Sequence, residues 1–143
     1  MNAHYILDAN NNPVAEPDLM AWATWYQDAD RTVARSEFTL GNSGITVSTV
    51  FLSLPHINKH LSIDDVMLYE TMVFADEAII QRIVELSESD DRSIVSMFLG
   101  GFDIQIRYAT RDEAVAGHKR LCTFIETVIG SGQLQPIDSE VTE

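Results

Sequence analysis

A chain of 143 residues, 45% apolar and 22% charged, has the size of one domain and the usage of a folded globular protein rather than a disordered one. Nine basic residues against 22 acidic ones leave a net charge of −13, and only two of the nine, Lys59 and Lys119, are lysines. That balance excludes general nucleic-acid binding, whose affinity comes from basic side chains on phosphates, and it disfavours anionic membrane surfaces.

The predicted elements begin at residues 4–8, a short strand reading His4-Tyr5-Ile6-Leu7-Asp8 that ends in the turn formers Asn10-Asn11-Asn12-Pro13. The opening residues carry neither the basic nor the apolar segment of a secretory leader, which predicts a protein that is not secreted. After Pro17, Asp18 is placed to cap a helix ending near Asp30, with Leu19, Trp22, Ala23 and Tyr26 on its buried stripe. Residues 33–40 and 45–54 are strand-like, and Gly41-Asn42-Ser43-Gly44 between them makes a β-hairpin. A polar loop over residues 55–65 leads to a further strand over 67–74.

From residue 76 the period changes: Asp76 can cap a helix over 76–87 with Ile79, Ile80, Ile83 and Val84 at helical spacing. An acidic loop over 87–91 precedes strands expected over 94–99 and 103–108. Thr110 and Glu113 then form a capping box for a helix that runs to Ile129 and closes at Gly130. The tail over 131–143 carries Asp138, Glu140 and Glu143 with little to bury, so residues 1–130 are expected to form the single domain, followed by a flexible acidic tail. Strands joined mostly by short turns predict an α+β fold, an antiparallel or mixed β-sheet with helices packed on one face. No apolar run approaches the roughly 20 residues that cross a bilayer. The single cysteine, Cys122, cannot close an internal disulfide and fits a reducing cytoplasm.

Several residues invite a chemical reading beside a structural one. In the strand over 67–74, Glu70 has apolar neighbours whichever face is buried, and an unpaired carboxylate there would cost several kcal/mol. It requires a partner, for which Arg107, Arg35 and His118 qualify, either as a structural ion pair or as a catalytic pair. His118 falls on the apolar stripe of the last helix with Ala114, Leu121, Ile125 and Val128, as a satisfied core histidine or a ligand-binding one. Gly117 beside it costs roughly 1 kcal/mol relative to Ala in a helix interior, which points to a close backbone approach or a ligand.

His56 and His60 with Asp64 and Asp65 superficially match metal-ligand spacing, but the helix that spacing needs is not indicated after Pro55, so no metal is expected. Trp25 stands nearer the edge of the first helix's stripe, as core or as a partner anchor. Cys122 and the serines lack a nucleophile signature, and the glycines form no nucleotide fingerprint, so no cofactor is expected. Residues 76–91 hold six acids against Arg82 alone, a solvated face or a contact for a basic partner through Glu85, Glu88, Asp90 and Asp91.

Three stretches together carry a resemblance: His4-Tyr5-Ile6-Leu7-Asp8; Val47-Ser48-Thr49-Val50-Phe51-Leu52 with Tyr69-Glu70-Thr71-Met72-Val73-Phe74; and Arg107-Tyr108-Ala109-Thr110 leading to Glu113-Ala114 and Gly117-His118. The chain resembles a family of small uncharacterised proteins encoded by bacteriophages and prophages. It departs from that pattern at Ser53, where the family tends to have glycine, and at Ala75, after which residues 76–100 look like an insertion. The resemblance implies action inside an infected bacterium and groups Glu70, Arg107, Tyr108 and His118 as one candidate ligand-binding cluster. Two functions follow as expectations. One is a non-enzymatic phage accessory protein that binds a host or phage protein through its acidic surface. The other is a small-ligand binder or enzyme with a site built from Glu70, Arg107 and His118. A homodimer through an exposed strand or aromatic edge is compatible with either.

Overall fold

The computed structural model describes residues 4–56, 67–88 and 104–135. Elements run in the order β1 (Tyr5–Leu7), β2 (Pro13–Ala15), α1 (Leu19–Asp28), β3 (Thr32–Leu40), β4 (Ser43–His56), β5 (Met67–Phe74), α2 (Glu77–Glu88), β6 (Ile104–Tyr108) and α3 (Arg111–Gly130). The fold is α+β, and the described strands form two antiparallel sheets: a two-stranded β1–β2 ribbon and a sheet in the order β3-β4-β5-β6.

Local chemistry accounts for the boundaries. Asp8 accepts backbone N–H bonds from Asn10 and Asn12 at 2.8 and 2.9 Å, which turns the chain between β1 and β2. Asp18 caps α1 by accepting from the Met20 N–H at 3.0 Å. Gly41, at φ 65°, supplies the positive φ that a two-residue hairpin turn needs between Leu40 and Ser43. Thr110 accepts from the Glu113 N–H at 3.1 Å, and Glu113 reaches back to the Ala109 N–H at 3.2 Å, one residue before the cap.

Alternation along the strands sorts the sheet into two faces. Ile45, Val47, Thr49 and Phe51 of β4 share one face with Tyr69, Thr71 and Val73 of β5 and with Ile104, Ile106 and Tyr108 of β6. Helix α3 packs on this face across all four strands, burying Ala114, Leu121, Phe124, Ile125 and Val128. Full burial of an aliphatic or aromatic side chain contributes about 1.5–3 kcal/mol, so this layer is the main source of stability. Helix α1 meets the same face at its end, where Trp25 lies edge-on to Phe51 with ring centroids 6.0 Å apart. Helix α2 adds Ile79, Ile80, Ile83, Val84 and Leu86 to the same core cluster.

Four details differ from expectation. Strand β2 is an addition: its first residue, Pro13, is expected in the turn and Val14 and Ala15 carry no expectation, because three residues beginning with proline have no period to recognise. The stripe of α1 is not the one expected, because Leu19 and Ala23 are exposed, whereas Trp22, Trp25 and Tyr26 are half-buried. Helix α3 ends at Gly130 as expected, but the glycine whose positive φ closes it is Gly132, at φ 83°. Beyond it the chain folds back, Leu134 donating to the Val128 carbonyl at 2.9 Å and burying its side chain, so residues 131–135 belong to the folded body rather than to a flexible tail. The strand expected over 94–99 and the rest of the tail, from residue 136, lie outside the described residues.

Candidate functional site

Glu70 and Arg107 are register partners on β5 and β6 and form an ion pair of 3.1 Å, their side chains 11% and 19% exposed. Arg107 also donates to Gln105 at 3.3 Å, while its buried Nε has no partner. The anion the sequence left in apolar company is thus held by the cation directly across the strand pair, a clamp between β5 and β6. Arg35, the alternative partner, pairs instead with Glu37 at 3.1 Å in the open.

His118 is not part of that pair, which corrects the grouping of Glu70, Arg107 and His118 as one site. Strand alternation puts Glu70 and Arg107 on the face turned away from α3, and His118 enters the sheet from the α3 side. There it anchors a line of hydroxyls. Its Nε2 meets Ser36 Oγ at 2.9 Å, its Nδ1 meets Thr49 Oγ1 at 2.8 Å, and Thr49 is bonded in turn to Thr71. A neutral imidazole donates on one ring nitrogen and accepts on the other, so both are satisfied, and burial holds the His118 pKa below its ordinary value.

Tyr108, the fourth residue of the expected cluster, lies on the His118 side. Its ring occupies the space over Gly117, where a Cβ would overlap the phenol. This explains the helical glycine as a close approach and not as a ligand contact. Burial pushes the Tyr108 hydroxyl above its usual range, with the adjacent Thr71 and then the Arg120 charge acting against it. Tyr69 beside it is also pushed up by burial, and neither hydroxyl has a well-formed hydrogen bond.

A serine hydrogen-bonded to a neutral histidine is the geometry of a general base beside a nucleophile, but two requirements of acyl transfer are missing. The second ring nitrogen meets a threonine rather than a carboxylate, so no anion stabilises an imidazolium. Ser36 sits mid-strand, opposite Val47 in the β3–β4 ladder, and not on a turn that frees backbone N–H groups for an oxyanion. Cys122, near Ser36, is pushed up by burial, the Ser36 hydroxyl opposing and Glu126 adding to the effect, so the thiol stays protonated at neutral pH. The line of hydroxyls therefore fastens α3 to β3, β4 and β5.

A further hub, Ser53, was noted in the sequence only as a departure from glycine. It stands at φ 73°, the left-handed region that favours glycine, and its Oγ accepts from Trp22 Nε1 at 2.6 Å while donating to the Tyr5 carbonyl at 2.9 Å. One hydroxyl so joins β1, α1 and β4.

The candidate partner-binding residues are dispersed. Trp25 packs into the core through Phe51 and its neighbour Tyr26. Glu85 is exposed and paired with Arg82 at 3.2 Å, Glu88 ends α2, and Asp90 and Asp91 lie outside the described residues, as do His60, Asp64 and Asp65. Among the described residues no cluster of three metal-ligating side chains occurs, and no helix is long and apolar enough to cross a membrane. The outward residues of α1 are the surface the sequence missed: Leu19 is 56% and Met20 72% exposed, and Ala21, Ala23 and Thr24 are exposed beside them. Comparison with protein families, with characterised proteins and with solved structures returns no match for this chain.

Proposed function

We propose that the chain is a small acidic accessory protein of bacteriophage origin that acts by binding a host or phage protein in the bacterial cytoplasm, without catalysis. The outer face of α1 carries this reading. A surface helix ordinarily turns charged residues to water, but α1 has no charge before its last residue, Asp28, and exposes Leu19 and Met20. Flexible, polarisable methionine suits a contact that is covered by a partner. The net charge of −13 adds attraction for a partner whose apolar groove has a basic rim, and raises the rate of encounter. The phage origin and cytoplasmic setting rest on the resemblance of the three sequence stretches and on the single, unpaired Cys122.

The test is capture from nuclease-treated bacterial lysate by tagged protein, followed by mass spectrometry. The expected outcome is one near-stoichiometric protein, lost on Leu19→Glu with Met20→Glu while the melting temperature is kept, because both side chains are already exposed. Undiminished capture by the double variant would contradict α1 as the contact.

A further inference from the structure

We infer that the free edge of β3 pairs antiparallel with β3 of a second copy of this chain, joining the sheets of the two copies into one. The inference is independent of the binding reading for α1 and rests on strand register and charge.

β3 is the terminal strand of its sheet and, among the described residues, bonds only to β4. Successive residues of a strand direct their backbone groups to opposite edges, so half of them already bond β4 and half face outward. The tight turn fixes which. Leu40 and Ser43 close a two-residue hairpin, the position at which opposed residues exchange hydrogen bonds, and the register runs unbroken from there to Ala34 opposite Thr49. The even-numbered residues Ala34, Ser36, Phe38 and Leu40 therefore bond β4. Arg35, Glu37 and Thr39 present free N–H and C=O groups at the edge, and the register shift between Thr32 and Ala34 ends the regular edge there.

A two-fold axis at Ser36 is the register that this edge specifies. It opposes Arg35 of one copy to Glu37 of the other, twice by symmetry, in hydrogen-bonding positions. Shifting the axis to Arg35 or to Glu37 would instead set like charges directly opposite each other, which is destabilising. The Arg35 and Glu37 side chains are 57% and 65% exposed, free to exchange the pair within one strand for a pair between copies.

Helix α3 independently obeys the same symmetry. Its half-buried residues Val115, Cys122 and Ile129 are seven apart and so form one stripe, and Cys122 lies near Ser36, which puts the stripe on the flank towards β3. The axis that passes Ser36 sets Cys122 opposite its own copy and Val115 opposite Ile129. Both layers are thus self-complementary about one axis, as an isologous dimer requires.

The experiment is sedimentation of the full chain at physiological salt and high micromolar concentration. Wild type is expected at about twice 16.0 kDa. Arg35→Glu and Glu37→Arg each oppose like charges, and each alone is expected at the mass of one copy. Mixed in equal amounts, the two variants restore both Arg–Glu oppositions and are expected to form a heterodimer. A wild type at the mass of one copy, dimers that survive either substitution, or a mixture that fails to pair would each overturn the inference.

Discussion

Gly117 and Tyr108 show how one atom decides a position. A methyl group on Gly117 meets the Tyr108 phenol, which is itself fixed in the sheet opposite Tyr69. Overpacking of this kind costs about 1–3 kcal/mol, more than the roughly 1 kcal/mol that alanine gains in a helix interior. Gly117→Ala is therefore expected to lower the melting temperature, and to cost clearly less in a Tyr108→Leu background, because the two side chains share one space. Equal effects of Gly117→Ala in both backgrounds, measured by thermal unfolding, would contradict the overlap. The sequence marked Gly117 as out of place in a helix but did not name its neighbour, since helical spacing does not say which side chain of the sheet a helix residue meets. The partner of Glu70 was legible for a simpler reason: a carboxylate in apolar company needs a cation, and only a few were available. That His118 was grouped with the pair reflects the limit of the same logic, which detects buried ionisable groups but not which face of the sheet they enter.

Helix α3 owes its place to apolar burial, to caps at both ends and to the contacts of His118 with Ser36 and Thr49. The last of these makes the helix sensitive to pH. Burial lowers the His118 pKa in the folded chain, so near and below pH about 6.5 the unfolded chain binds more protons. The stabilising contribution is fully present above that pH and is lost as pH falls from there through the lowered folded-state value. Urea unfolding of wild type is expected to weaken in this window, and His118→Gln to remove part of the slope; identical slopes in the two proteins would contradict the assignment. Element boundaries were legible where a side chain marks them, as at Asp18 and at Thr110 with Glu113. They were not legible where a distant contact sets them, as at Leu134, whose burial carries the chain past Gly130, or at β2, a three-residue strand defined only by its pairing with β1.

As a whole the molecule combines one well-filled core face with a net charge of −13 and two features that water alone does not explain, the apolar outside of α1 and an edge of β3 that no other described strand pairs. Composition announced the charge, and periodicity announced the helix. Neither said that Leu19 and Met20 are left uncovered, because a pattern of apolar residues shows which side chains can be buried and not which ones are. The contact proposed for α1 is tested most directly by photo-crosslinking. A photoreactive residue in place of Met20 is expected to join the chain to one bacterial or phage protein in lysate, and the same residue in place of the exposed Thr127 of α3 is not. Cross-linking from position 127 alone, or equally from both, would contradict the account.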